Sequence, residues 1–191
     1  MAKILLKNVR LSYPALFTRA VHEGKDGKYE ATLLLNKDDH ADVIKQLRIQ
    51  IKGLITTELK LKGLKPENIC LRDGDLRKDE EGNQVQGYEN CWSLKASTMK
   101  KPTVFDRDKT PLTGDTEKPY AGCYVNAIVD FWVQDNAFGK KINANLFGVQ
   151  FYRDGEAFGS VAATADDFED FGDEDDFGDE EFGAEEEEEV Y

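Results

Sequence analysis

The stretch from Asp166 to Tyr191 carries sixteen Asp and Glu residues and no Lys, Arg or His. A segment so charged buries too little apolar surface to offset its ordering entropy, so it is expected to be disordered and to leave folding to the residues before it. It also changes how the charge of the chain reads. The sequence holds 38 acidic and 25 basic side chains, a net charge of −13. With the sixteen acids of the tail set aside, 22 acidic and 25 basic groups remain. A mildly basic domain, residues 1–165, thus carries a polyanion, residues 166–191. The polyanion is not uniform. EDFGDE, DDFGDE and EEFGAE recur, and Phe168, Phe171, Phe177, Phe182 and Tyr191 interrupt the acid. Rings alternating with carboxylates imitate the bases and phosphates of a single nucleic-acid strand; a solubilising tail is the plainer alternative. The DFG and EFG triplets have no catalytic-loop His-Arg-Asp or glycine-rich phosphate loop beside them, so they do not mark a kinase.

The remaining length suits one domain with a real core. Cys70, Cys91 and Cys123 are odd in number and lack CxxC spacing, and His22 and His40 are the only histidines. That set makes no zinc site, and no cofactor is expected. The cysteines read as buried or half-buried thiols in a reducing compartment. No secretory signal opens the chain and no apolar run reaches membrane-spanning length, so a soluble cytoplasmic protein is expected.

The body begins with a strand, Ala2 to Tyr13, stopped by Pro14. After a turn at Gly24 to Gly27, Lys28 to Asn36 is a second strand, with Tyr29, Ala31, Leu33 and Leu35 on its core face. The two form a hairpin. Asp38 and Asp39 are candidate N-caps of a helix from Ala41, whose apolar positions run Val43, Ile44, Leu47, Ile51, Leu54, Ile55 and Leu59. Lys45, Arg48, Lys52 and Lys60 occupy the other face and read as solvated. Gly63 and Pro66 end the helix. LRDGDL (Leu71 to Leu76) contains a turn, and Asp79 to Gly87 is an exposed loop. Tyr88 to Thr98 is a strand, Met99 to Pro119 a long loop, and Gly122 to Gln134 and Gly139 to Tyr152 a closing hairpin. Order is expected to fade after Val161. This sequence of elements predicts a mainly β fold, an OB-type β-barrel with one inserted α-helix and the acidic C-terminal tail; a β-sandwich shares much of the pattern.

RLSYPALF (Arg10 to Phe17), KYEATLLLNK (Lys28 to Lys37), LRDGD (Leu71 to Asp75), KASTMKKPTVFD (Lys95 to Asp106), YAGCYVNAIVDFW (Tyr120 to Trp132) and GVQFYRDGE (Gly148 to Glu156), taken in order, resemble the phage-encoded single-stranded-DNA-binding proteins of the OB-fold type that end in an acidic tail. The resemblance implies sequence-tolerant binding to single strands and a role in phage DNA replication, recombination or repair within the infected bacterial host cell. The tail here is longer and richer in FG units than that family leads one to expect.

Holding a single strand without reading its sequence needs cations for phosphates and flat rings for bases. Tyr13, Phe17, Tyr88, Trp92, Phe105 and Tyr120 are the candidate stacking residues. Arg10, Arg72, Arg77, Lys95, Lys100, Lys101 and Arg107 are the candidate phosphate contacts. Packing competes for some of them. Trp92 shares a face with Leu94 and Ala96, Tyr13 beside Pro14 could fix a turn, and Phe131, Phe147 and Phe151 are assigned to the core. The tail is expected to compete with DNA and to recruit replication or recombination proteins through Phe168, Phe171, Phe177, Phe182, Val190 and Tyr191. No membrane contact is expected, and an oligomer is compatible with the sequence. Two other classes remain in view. A nuclease would use Asp73 and Asp75 with Glu89 or Asp106 on a metal ion, but the carboxylates lack a recognisable third ligand and catalytic Lys spacing. An acidic decoy for a basic partner would use the tail and leave the basic run at Lys100 unexplained.

Overall fold

The computed structural model describes residues 2–58 and 61–159. The 166–191 tail with its six candidate contact residues, Leu59, Lys60 and the expected loss of order after Val161 lie outside them. So does the boundary expected at residue 165.

The strands, in chain order, are β1 (Ile4–Ala15), β2 (Val21–His22), β3 (Lys25–Asp26), β4 (Tyr29–Asn36), β5 (Leu71–Asp73), β6 (Cys91–Thr98), β7 (Thr103–Phe105), β8 (Tyr124–Asn136) and β9 (Gly139–Arg153), with the helix α1 (Ala41–Thr57) between β4 and β5. Five of them close a ring. β1 lies between β4 and β8, both antiparallel to it; β4 pairs with β6 and β8 with β9. The ring shuts where β6 and β9 run parallel, Ala96 beside Ala144 and Ser97 beside Asn145. This is the five-stranded barrel of an OB-fold. The short β2–β3 hairpin stands in the loop between the first two barrel strands.

Alternation along the strands explains the interior. Leu33 and Leu35 of β4, Leu94 and Ala96 of β6, Val125, Ala127 and Val129 of β8 and Ile142 and Ala144 of β9 point inward and are buried. Helix α1 closes one end with Ile44, Leu47 and Ile51, which recur at helical spacing and belong to the same core.

Several expectations change. β1 runs through Pro14 to Ala15, because the register shifts between Ser12 and Ala15 and Tyr13 takes φ 46°. A bulge accommodates proline where a regular ladder would miss its N–H. A second bulge falls between Leu6 and Val9, with Asn8 at φ 52°. β4 is buried on both faces rather than one: Leu34 joins Tyr88 and Cys91 in a separate outer cluster, under the segment that leads into β6. Asp38 and Asp39 do not cap α1. Their backbone N–H groups donate to Asn36 Oδ1 at 2.9 and 3.1 Å, and His40 is the N-cap, its ring turned to the Lys7 carbonyl at 3.1 Å and not to the helix N–H groups. The helix stops at Thr57, short of Gly63. Thr56 and Thr57 turn their hydroxyls back onto the Lys52 and Gly53 carbonyls, a habit of β-branched hydroxyl residues that weakens the last turn. The stretch from Met99 to Pro119 is not all loop, since β7 pairs in parallel with Gly148 to Gln150 of β9 and buries Val104.

Candidate nucleic-acid interface

The outer face of β4 and β6 carries Glu30 and Thr32 opposite Ser97 and Lys95. Lys95 Nζ lies 3.1 Å from Glu30 Oε2, and His22 Nε2 lies 3.4 Å from the other carboxylate oxygen. The charge of Lys95 is therefore partly balanced within the sheet. Rings and cations surround this pair. Tyr13, held out by its left-handed backbone, is 60 % exposed, and the Arg77 guanidinium sits 5.7 Å from its ring. Lys101 Nζ is 5.8 Å from the Phe17 ring. Arg19 lies 5.8 Å from the Tyr29 ring and donates to the Met99 carbonyl at 3.3 Å, which ties the β1–β4 loop to the end of β6. Lys28, at the end of that loop, reaches to 5.9 Å from the ring of Trp132 on β8. At the tip of the β8–β9 hairpin stands Phe138, 85 % exposed. In OB barrels, strands two and three with the loops between strands one and two and between strands four and five form the oligomer-binding surface. Here those parts are β4, β6, the 16–28 loop and the Phe138 hairpin.

Lys100 and Lys101 are exposed on the link from β6 to β7. Both strands use the same edge of β9, at Ala144–Asn145 and Gly148–Gln150, so the basic link spans the step between them. Phe105 and Arg107 lie farther along. Phe105 is half-buried on β7, and the Arg107 guanidinium is 5.4 Å from the Tyr152 ring.

Trp92 and Arg72 belong elsewhere, to a groove of about 1170 Å³ between α1 and the β5–β6 region. Arg77 lines it too. The Trp92 ring, half-buried against the core, has the Arg48 guanidinium 4.9 Å away and Lys37 Nζ at 6.0 Å. The basic side of α1, expected to be simply solvated, forms one wall through Lys45, Arg48 and Lys52. The Gly74–Leu76 turn forms part of the other. It packs so tightly on the segment that leads into β6 that a Cβ at Gly74 would stand 2.5 Å from the Tyr88 carbonyl oxygen.

Three sequence candidates are committed to the fold. Tyr88 is 1 % exposed and its hydroxyl shares a hydrogen bond with Ser12 Oγ at 3.0 Å, so it cannot stack on a base. Burial pushes its pKa up. Tyr120 donates to Asp154 Oδ1 at 2.8 Å and accepts from the Gly155 N–H at 3.2 Å. Desolvation raises its pKa as well. Arg10 donates to the Gly122 and Glu156 carbonyls at 3.1 and 2.7 Å and covers the Phe158 ring at 4.1 Å, so it anchors the last described segment. Arg72 is partly committed in the same way, to the carbonyls of Ile69 and Glu67. Phe147, expected in the core, is half-exposed with Lys3 Nζ 4.3 Å from its ring.

The carboxylates weighed for metal chemistry have other partners. Lys37 Nζ bridges Asp73 at 2.7 Å and Asp75 at 2.6 Å, Glu89 accepts from the Gly87 N–H at 2.8 Å, and Asp106 accepts from the Arg107 N–H at 2.7 Å. Among the described residues, no three His, Cys, Asp or Glu side chains converge as ligands.

Sequence reasoning missed Arg19, Lys28, Trp132 and Phe138. Alternation in β8 already opposes Trp132 to the buried Phe131, and an aromatic residue in a hairpin turn has no packing reason to be there; both signals were available.

Comparison with known proteins gives a consistent picture. A family model described as "Enterobacter phage Enc34, ssDNA-binding protein" matches residues 2–178. Over 179 residues the chain is 39 % identical to "Putative protein p50" of Acyrthosiphon pisum secondary endosymbiont phage 1, covering 88 % of this chain and 93 % of that one. It is similar to the solved single-stranded DNA-binding protein from bacteriophage Enc34 in complex with ssDNA, at 32 % identity and TM-score 0.72, over 82 % of this chain and 89 % of that one. A C-terminal truncation of the same Enc34 protein matches at 32 % identity and TM-score 0.70, over 82 % and 88 %. Bacteriophage T7 gp2.5, a single-stranded DNA binding protein, matches at 11 % identity and TM-score 0.53 over 92 % and 98 %, a likeness of fold alone.

Proposed function

The chain belongs to the family of the Enterobacter phage Enc34 ssDNA-binding protein, and from that premise we propose that it is a non-catalytic, sequence-independent binder of single-stranded DNA. One observation carries the reading: the loop and hairpin positions that an OB barrel uses for binding carry exposed rings, Tyr13 at the bulge of β1 with Arg77 5.7 Å away and Phe138 at the β8–β9 turn with Lys140 and Lys141 next in sequence. The strand lies across Lys95, with phosphates on Arg19, Lys28, Arg77, Lys100 and Lys101 and bases on Tyr13, Phe17, Trp132 and Phe138. Phe105 and Arg107 extend the path past β7. Stacking needs base faces that a duplex hides, so single strands are preferred over duplex. The relative solved in complex with ssDNA supports single-strand binding.

The protein works in phage DNA replication, recombination or repair in the cytoplasm of the infected bacterial host. Residues 1–165 form the binding domain and residues 166–191 a regulatory tail. Tethered beside a basic surface at an effective concentration of roughly millimolar, the sixteen carboxylates compete with phosphates. Once displaced by DNA, the tail with its Val190–Tyr191 tip is free for a replication or recombination protein. Affinity for a single strand and for the matching duplex, measured with and without residues 166–191 from low to moderate salt, tests the reading. The intact chain is expected to favour the single strand, and removal of the tail to raise affinity most at low salt and to relax the preference. Equal affinity of the intact chain for both forms would overturn the stacking mechanism, and identical curves with and without the tail would overturn the competition.

A further inference from the structure

We propose that the outer face of β7, β9 and β8 is a second single-strand track, onto which DNA continues from the β4–β6 face. This rests on the function proposed above, and it adds where a longer strand goes on the same barrel.

Alternation puts rings on this face. Val125, Leu146 and Phe151 are buried in the barrel, so their neighbours Tyr124, Phe147 and Tyr152 point outward, each half-exposed. Each of those rings has an exposed cation beside it. The Arg153 guanidinium lies 3.6 Å from the Tyr124 ring, Lys3 Nζ 4.3 Å from Phe147, and Arg107 5.4 Å from Tyr152. Phe105 joins them from β7, since it pairs with Gln150 one step beyond the buried pair Val104 and Val149. Leu5 and Ile128 sit side by side on the same face, 53 and 38 % exposed. The polar groups between the rings are spent on one another. Asn126 donates to Gln150 at 3.1 Å, Asn145 to Asp130 at 2.8 Å, and Arg153 to Asn8 at 3.0 Å. Asp106 and Asp108, the acids next to Arg107, accept backbone N–H groups of their own turn. A face of this kind holds a strand by charge and stacking rather than by reading base edges. Arg153 suits both tasks: pinned by Asn8 on the Tyr124 ring, its planar guanidinium can stack on a base and its N–H groups can meet a phosphate.

Continuity with the first face selects DNA as the occupant. The basic link at Lys100 and Lys101 runs directly into exposed Thr103 and then Phe105. From there Arg107 leads to Tyr152, and Tyr124 and Arg153 follow as a register pair. At the other end Trp132, with Lys28 at 5.9 Å, stands on the outward side of β8 and opposite Asn143, four residues before Phe147. Phe147 and Tyr152 are roughly 15 Å apart along β9. A strand that leaves the β4–β6 face by either route thus meets successive rings, each with its own cation.

The test uses the full chain and labelled oligothymidylates of about six and about sixteen nucleotides, the short one to fill a single face and the long one to reach both. Fluorescence anisotropy is read from about 0.15 M salt upward, where distant charges are screened. Lys3→Glu with Arg153→Glu should weaken the long strand about tenfold or more and leave the short one within about twofold. The same variant should lower the salt slope for the long strand by about 1.4, two phosphate contacts at about 0.7 each. Phe147→Ser removes a ring and no charge, so it should weaken the long strand alone and leave its slope unchanged. Thermal melts establish folding, and either variant decides if the other fails to fold. Long-strand affinity and slope at the parent values in the folded variants would overturn the proposal. Equal loss for both lengths would overturn it too, since the face would then not be a continuation reached only by longer strands. The function proposed above has its own readouts. It is refuted if the parent binds neither length, and its β4–β6 site is refuted if Lys100→Ala with Lys101→Ala leaves the short strand unaffected.

Discussion

The Tyr88 hydroxyl and Ser12 Oγ lie 3.0 Å apart, both buried on the outer side of the β1–β4 pair. This bond fastens the segment leading into β6 across the sheet and takes an apparent stacking residue out of reach of DNA. Tyr88→Phe should therefore act on stability alone. It strands a buried hydroxyl, a loss of about 1–3 kcal/mol. Urea denaturation should show the lowered midpoint, and ssDNA affinity should stay at the parent value.

Tyr13 and Phe138 should behave in the opposite way. Tyr13→Ala and Phe138→Ala each remove an exposed ring, so each should weaken ssDNA binding by about 1–3 kcal/mol with little change in melting temperature. The salt dependence should be unchanged, since no cation is lost. A steeper or flatter salt slope in either variant would show that the ring acts through a neighbouring charge.

The lysines divide by their partners. Lys100→Ala with Lys101→Ala should lower the slope of log affinity against log salt by about 0.7 per lost phosphate contact. Lys95→Ala should change the slope less, because Glu30 already balances Lys95 at 3.1 Å. Salt titrations of the double and single variants give this order directly.

Lys37 joins the end of β4 to the Gly74–Leu76 turn through Asp73 and Asp75. Hydrogen bonds to those carboxylates raise the Lys37 pKa, and the bond from Lys37 lowers that of Asp75. For Asp75, with a folded pKa below the ordinary 3.8, the stabilisation is present above that value and fades as pH falls through the folded one. For Lys37, raised above 10.5, it is complete below that value and fades as pH rises through the folded one. The melting temperature of the parent should exceed that of Asp75→Asn by a steady margin at neutral pH. The margin should shrink in acid, below the ordinary carboxylate range.

Burial pushes the Cys70 thiol up to about 12 and the Cys123 thiol up to about 11, and raises Cys91. Because the thiolate is the reactive form, an aromatic disulfide reagent at mildly alkaline pH should react slowly with the native chain. All three thiols should titrate at once in denaturant.

What could be read from the sequence follows the range of the interactions involved. The β8–β9 hairpin and the start of α1 were legible because period two and period 3.6 are local patterns. The seam of Ala96 with Ala144 was not, since two small residues 48 positions apart carry no mark of pairing. The same holds for the site. Lys100 and Lys101 stand out as a basic run in a loop and are exposed as expected. Tyr88 misled because nothing nearby in sequence announces Ser12 as its partner. Lys95 stands out in the sequence only as a cation in a strand, and its ion pair with Glu30 depends on the β4–β6 register. Lys28 and Trp132 meet only because the barrel closes.

The bulge at Asn8 has a consequence for the chain while it is being made. β1 is synthesised first, but its partner on one side, β8, begins only at Tyr124. At about 5–20 residues per second, the wait is on the order of ten seconds. During that time β1 and β4 present a bare strand edge to any neighbouring nascent chain. Asn8 breaks the regularity of that edge and exposed Lys3 and Lys7 charge it, two devices that discourage pairing with strangers. When β8 arrives, Asn126 Oδ1 accepts the Asn8 N–H at 3.0 Å, and the Arg153 side chain donates to Asn8 Oδ1 at 3.0 Å. A guard against aggregation on the ribosome thereby becomes a fastening point of the finished barrel.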